Sequence, residues 1–336
     1  MKYKLLGRTG LRVSELCLGT MTFGGKGWAK FVGSLDQQAV DNIMKRSIDA
    51  GVNFIDTANV YSEGLAEELT GQSIKNLGLK RDDLVIATKV RGQMGQGPND
   101  SGLTRKHIMT QVEASLRRLR MDYIDLYQIH SFDPLTSWQE TLWTLDDLVK
   151  SGKVRYIGAS NLAAWQLMKA LDFSNYTRIE AFASLQAYYT IAGRDLEREM
   201  IPLLKDQGLG LLVWSPLAGG FLSGKYRRGD EQGRRSNFDF PPIDKERAYN
   251  IIDVLHPMAE GKKSSVARLA LAWLLQQDVV TSVIIGANKM DQLEDNLASI
   301  EVNFTAYELK RLDEVSQLPP EYPGWMLEFT GKDRQL

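Results

Sequence analysis

Val52–Tyr61, VNFIDTANVY, decides how this chain folds. An apolar run closes on Asp56, turn-forming residues follow, and a tyrosine stands five residues beyond. A short apolar run ahead of a turn reads as a strand buried on both faces, as in a parallel sheet. Asp56 then emerges at the strand's C-terminal end, with Tyr61 on the loop above it. The pattern recurs on either side. LCLG closes upstream, and later apolar segments close near Lys89 (LVIATK), His130 (IDLYQIH), Ser160 (VRYIGAS), Gln186 (FASLQ), Trp214 (GLLVW) and Gly286 (SVIIG). From Asp56 onward these ends fall 33, 41, 30, 26, 28 and 72 residues apart, which leaves room for a helix each time. Eight such units predict an α/β fold, a closed (β/α)8 TIM barrel rather than an open doubly wound sheet.

Around the barrel, residues 1–15 predict an N-terminal β-hairpin turning at Arg8–Gly10. Ser34 and Gln37 predict a capping box that opens a helix reaching about Ala50, and Ser137 with Glu140 a second. The longest gap holds a Gly/Arg-rich loop over about 218–243 and two helices near 244–256 and 264–276. A last helix near 306–315 precedes an aromatic tail, EYPGWMLEF. These extra helices and loops are assigned to the C-terminal face. No linker or low-complexity stretch interrupts the chain, so 1–336 reads as a single barrel domain.

Composition narrows the function. A hydrophobic fraction of 43% with 25% charged residues is that of a globular protein with a large core. A formal net charge of −1 argues against a nucleic-acid surface, which needs a basic excess. Cys17 is the one cysteine, so there is no disulfide framework. The first residues lack the apolar core of a signal peptide, and VARLALAWLL is too short to span a bilayer. These features predict a cytoplasmic protein with no membrane partner. No histidine or carboxylate spacing suggests a metal.

Catalytic groups of a barrel sit at the strands' C-terminal ends. Strands about 4.8 Å apart would bring Asp56, Lys89 and His130 within roughly 10 Å of one another, beneath Tyr61. Singly, each has an ordinary reading: a turn residue, a surface ion pair, a packed ring. His107 and His256 read as surface residues at helix ends. Together the four describe a carbonyl-reducing site. Tyr61 would donate a proton to the carbonyl oxygen, with the Lys89 cation favouring phenolate and making Tyr61 a stronger acid. Asp56 would hold Lys89, and a neutral His130 would orient the carbonyl. None of the four is a source of electrons, so a cofactor must supply the hydride.

IDTANVY, VIATKV, DLYQIH, IGASN, WSPLAGGFLSGKY and VIIGANKMDQLEDN together resemble the aldo-keto reductase family, in order and over nearly the whole chain. The resemblance implies a barrel that binds extended NADPH, with Asp56, Tyr61, Lys89 and His130 as a catalytic tetrad. It implies that Ser160, Asn161 and Gln186 hold the carboxamide and that Trp214 stacks on the nicotinamide. It assigns Ser215, Leu217 and Gly219 to the pyrophosphate-facing turn, with Lys225 nearby. Gly286, Ala287, Asn288, Gln292, Asp295 and Asn296 match the segment for the adenosine end. Asn288 departs from the pattern, because many relatives carry there an arginine that grips the 2′-phosphate. NADH therefore enters as a possible cofactor, with Lys289 and the loop's Arg227, Arg228, Arg234 and Arg235 as compensating charges. A solvated surface segment and a phosphate clamp both fit that loop.

GGFLSGKY nearly spells a phosphate-binding loop, but Tyr226 stands where the magnesium-binding hydroxyl belongs, which argues against an NTPase. The competing reading, also implied by the resemblance, is a cofactor-sensing regulatory subunit of a membrane channel that retains the tetrad. Phe23, Trp28, Phe132, Tyr188 and Trp325 are candidate pocket walls, so an apolar or aromatic carbonyl compound is the expected small-molecule substrate. Oligomeric state is not legible in the sequence.

Overall fold

The computed structural model describes residues 1–226, 228, 235 and 239–332. Strands β1 (Tyr3–Leu5) and β2 (Arg12–Ser14) form the antiparallel hairpin. The barrel strands follow: β3 (Leu16–Gly19), β4 (Phe54–Asp56), β5 (Val85–Val90), β6 (Ile124–Ile129), β7 (Val154–Ser160), β8 (Ser184–Tyr188), β9 (Gly210–Trp214) and β10 (Val280–Ile285). All pair in parallel and in chain order, and β10 closes on β3. Helices α1 (Gln37–Asp49), α2 (Leu65–Asn76), α3 (Arg105–Leu119), α4 (Trp138–Lys150), α5 (Ala164–Thr177) and α6 (Met200–Gln207) alternate with the strands. Between β9 and β10 come α7 (Lys245–Lys262) and α8 (Val266–Leu275); α9 (Met290–Leu297), α10 (Ala306–Ser316) and α11 (Gly324–Thr330) follow β10.

The period-2 alternation of strands sorts the core into two layers. Ile55, Ile86, Val90, Tyr127 and Ile129 face the helices. Cys17, Phe54, Val85, Ala87, Leu126, Leu212 and Ile284 fill the interior, where Leu6 and Val13 of the hairpin join them and plug one end. Continuing the interior alternation by one step brings Asp56 above Phe54, Lys89 above Ala87, Gln128 above Leu126 and Trp214 above Leu212. Each fully buried side chain of Leu or Phe size is worth about 1.5–3 kcal/mol. That apolar plug is the reserve against which the charges above it are buried.

Helix ends refine the expected boundaries. Asp36, not Ser34, caps α1, accepting from the Ala39 N–H at 2.9 Å, because it is the extended residue directly before the helix. Ser137 caps α4 as expected, but the Glu140 carboxylate turns away to accept from the Arg105 N–H at 2.9 Å at the start of α3. Helix α7 runs through Pro257, which is solvent-exposed, and ends at Lys262. His256 therefore lies within a helix rather than closing one. Every residue of α11 is exposed.

Candidate active site

The ends of β4, β5 and β6 and the turn after β4 converge on one constellation. Lys89 is fully buried; its Nζ donates to Asp56 Oδ2 at 2.5 Å, to the Thr57 carbonyl at 2.9 Å and to the Tyr61 hydroxyl at 3.3 Å. The other carboxylate oxygen of Asp56 accepts from Gln128 Nε2 at 3.0 Å and from Gln186 Nε2 at 2.9 Å. Tyr61 meets the His130 ring edge-on, with centroids 5.8 Å apart. A buried ion pair survives when its remaining lone pairs are satisfied, and the two glutamines do that here.

The electrostatics follow from burial and neighbours. Burial lowers the pKa of Lys89, but Asp56 and then Tyr61 raise it more, so it stays an ammonium. Burial pushes the Tyr61 phenol above its ordinary range, and Lys89 only partly offsets this. That corrects the expected direction: desolvation of the phenolate outweighs the lysine, so Tyr61 keeps its proton more firmly than a free tyrosine. Burial, with Lys89 and Arg91 adding, brings His130 down to about 3, so its imidazole is neutral.

The turn that carries Tyr61 is unusual. Ser62 (φ 50°), Glu63 (φ 58°) and Gly64 (φ 94°) lie consecutively in the left-handed region. The Ser62 hydroxyl holds that shape, donating to the Phe23 carbonyl at 2.7 Å and accepting from the Gly25 N–H at 2.9 Å. It thereby fastens the tyrosine turn to the loop after β3.

At the rim, Asn161 links β6, β7 and β9. Its Nδ2 donates to the His130 carbonyl at 2.9 Å and to Ser160 Oγ at 3.0 Å, and its Oδ1 accepts from Trp214 Nε1 at 3.0 Å. The indole of Trp214 packs against Tyr188 with centroids 5.2 Å apart and lies parallel to Phe240 at 5.8 Å. After β9, Ser215 Oγ accepts from the Gly219 N–H at 2.9 Å. Gly219 has a φ of 65°, and a Cβ there would collide with the Phe240 carbonyl, so only glycine fits. Leu217 begins the same turn, and Lys225 is exposed. After β10, the Asn288 N–H donates to Gln292 Oε1 at 2.9 Å, and Asn288 Nδ2 donates to the Val32 carbonyl at 2.9 Å. Asn296 Nδ2 donates to the Gly286 carbonyl at 3.2 Å, and Ala287 is buried. Asp295 accepts from Arg268 at 2.9 Å and from Ser265 at 2.5 Å.

The described arginines of the Gly/Arg-rich loop are bound by the protein itself. Arg235 is buried and donates to the carbonyls of Ala218 at 2.9 Å and Pro241 at 2.7 Å while pairing with Asp239. Arg228 binds Glu246 at 2.6 Å and Asn250 at 2.7 Å on α7. Arg227 and Arg234 lie outside the described residues. Tyr226 is buried and stacks on Phe221, so GGFLSGKY forms a packed turn.

Of the candidate walls, Trp28 is 44% exposed on a 3-10 turn (Gly27–Phe31), in the loop fastened to the tyrosine turn. The Tyr188 hydroxyl is buried, lacks a hydrogen-bond partner among the described residues, and is pushed up to about 12 by burial. Phe23 has no accessible surface, so its ring is packing. The ring partners of Phe132 are Trp138 and Trp165, and that of Trp325 is Tyr322 in the exposed tail.

Two features carry no signal of their own in the sequence, and a third departs from its expected place. Gln128 stands two residues before His130, so alternation alone puts it on the interior face. Thr20 and Thr22 follow β3 with buried hydroxyls that lack partners among the described residues. His107 is 2% exposed rather than a surface residue, its imidazole set against the backbone of Gly92 and Asn99.

The chain is similar to known proteins over nearly its whole length. The Aldo/keto reductase family, compared as a sequence profile, matches residues 15–317. An uncharacterized oxidoreductase of Bacillus subtilis is 37% identical over 97% of this chain and all of its own length. A probable voltage-gated potassium channel subunit beta of rice (Oryza sativa) is 38% identical over 90% of this chain and 92% of its own. The versiconal hemiacetal acetate reductase of Aspergillus parasiticus is 33% identical over 96% of this chain and 99% of its own.

Proposed function

We propose, for a chain that belongs to the aldo/keto reductase family and is an NAD(P)H-dependent oxidoreductase, that it reduces an aldehyde or ketone with Tyr61 as the general acid. The observation that carries this is the Tyr61 hydroxyl 3.3 Å from a buried ammonium that Asp56 holds in place, beside a neutral His130.

The rim residues fit a reduced nicotinamide dinucleotide. A Cβ on Gly286 would meet nothing closer than 3.9 Å, the Gly19 carbonyl and the Thr22 methyl, so the backbone there is open to a close approach. Trp214 offers an aromatic face at the mouth. Ser160, Asn161 and Gln186 would hold the carboxamide, and the turn Ser215–Gly219 with Lys225 the pyrophosphate. Gly286–Asn288, Gln292, Asp295 and Asn296 would hold the adenosine end. When bound, NADPH supplies the hydride, and the family generally uses NADP(H).

The protein's own residues perform the rest. His130, being neutral, can donate a hydrogen bond to the substrate carbonyl and orient it over the site. Tyr61, its pKa raised by burial, arrives with its proton in place and gives it to the developing alkoxide. The phenolate left behind faces the Lys89 ammonium, so the charge forms where a fixed countercharge already stands. Asp56, steadied by Gln128 and Gln186, keeps that ammonium from drifting.

Turnover of a carbonyl panel with NADPH and NADH in parallel tests this. Tyr61→Phe should lower carbonyl reduction by about 10²–10⁴-fold, the usual contribution of a positioned proton donor. Nucleotide affinity, read by tryptophan fluorescence, should be nearly unchanged. Wild-type turnover in that variant rejects Tyr61 as the acid. Similarity to a channel beta subunit motivates one second reading, a cofactor sensor with little turnover, and the same panel separates the two.

A further inference from the structure

β5 ends at Val90, and Arg91 follows with a φ of 140°, a backbone conformation that non-glycine residues rarely adopt. Such strain persists only where the surroundings fix it. Here the Arg91 carbonyl accepts from the Gly102 N–H at 2.8 Å, and the Val90 carbonyl accepts from the His130 N–H at 2.8 Å. Gly92 packs so closely on Val60, the residue before Tyr61, that a Cβ would collide with its side chain. His107 backs the same loop from within. Arg91 is thus set rigidly at the strand exit, two residues beyond Lys89, with its charge beside His130 and Asp133.

The guanidinium is not consumed by the protein. Among the described residues no carboxylate lies within ion-pair distance and none accepts a hydrogen bond from it, although its Nε is buried. Asp133 is already engaged, accepting from the Leu103 N–H at 2.7 Å, the Leu135 N–H at 3.0 Å and the Thr136 hydroxyl at 2.7 Å. Three other described cations near the rim are paired within the protein: Lys89 with Asp56, Arg235 with Asp239 and Arg268 with Asp295. A buried, partnerless guanidinium nitrogen is costly, and a planar carboxylate is the group its fork matches.

We propose that Arg91 is a specificity-determining residue that selects carbonyl substrates carrying a carboxylate. This rests on the reductase reading above and adds the substrate class: an aromatic or apolar carbonyl compound with one carboxylate, its ring against Trp28 and Tyr188 and its anion on Arg91.

The test compares kcat/KM for 4-carboxybenzaldehyde and for its methyl ester, in the wild type and in Arg91→Gln. The wild type should prefer the carboxylate, and that ratio should fall about ten- to hundredfold in the variant, through KM. A wild type that prefers the ester, or a ratio unmoved by Arg91→Gln, overturns the proposal. Benzoate and benzamide binding to the wild type, read by tryptophan fluorescence, decides the matter without turnover and without the variant. Tighter benzoate supports the anion site, and equal affinities refute it. If neither aldehyde is reduced while benzoate binds selectively, the reductase reading falls and the anion site stands.

Discussion

Asp56→Asn isolates the interaction on which the site depends. Lys89 is 0% exposed and Asp56 2%, so neither charge can turn to water when the other is lost. The substitution keeps the shape but cannot keep the hydrogen bonds. With the amide oxygen toward Gln128 and Gln186, its NH2 faces the Lys89 ammonium; flipped, the NH2 faces two glutamine donors. Either way a buried donor lacks an acceptor. Removing one member of a buried pair costs about 3–5 kcal/mol, and urea unfolding followed by circular dichroism at pH 7 should show a loss of that order. Asp56→Asn with Lys89→Met removes the stranded ammonium as well and should recover more than half of it. The pair also sets the alkaline limb of stability. Lys89's folded pKa is raised, so the pair's contribution is complete below the ordinary lysine value and fades as pH climbs through the folded value. In Asp56→Asn that loss should begin at lower pH. A single variant within about 1 kcal/mol of wild type, or a double variant no more stable than the single, would refute the reasoning.

Three further outcomes are expected. His130 has a folded pKa near 3, so its ring protons should show no NMR inflection between pH 5 and 8, and its stabilising contribution, complete above the ordinary histidine value, should fade as pH falls toward 3. An inflection near the ordinary value would contradict the neutral imidazole. Asn288→Arg should raise the NADPH-to-NADH ratio of kcat/KM even though it breaks the bond to the Val32 carbonyl; an unchanged ratio would place the 2′-phosphate elsewhere. Ser62→Ala removes both hydrogen bonds of a strained, buried turn and should cost about 1–3 kcal/mol of stability while lowering kcat. Ser62→Gly, which relieves the backbone but not the bonds, should fall between it and wild type, and equal behaviour of the two would show that the hydroxyl alone matters.

The sequence by itself determined the architecture and the address of the site. Apolar runs of strand length, each closing on a polar residue and each followed by helical periodicity, could bury their faces only in a closed parallel barrel. Period-2 alternation then obliged Asp56, Lys89 and His130 to face one interior. Those are local properties, written within a few residues of each position. Tertiary structure alone decided how the groups are used. The partners of Asp56 are Gln128 and Gln186, 72 and 130 residues away, and only barrel closure fixes their register. Arg228 and Arg235 fit a phosphate clamp in the sequence until α7 and the turn after β9 are seen to occupy them, and nothing in the sequence marks Arg91. The direction of Tyr61's shift likewise had to wait for the fold, because a neighbouring cation is visible in sequence and the depth of burial opposing it is not.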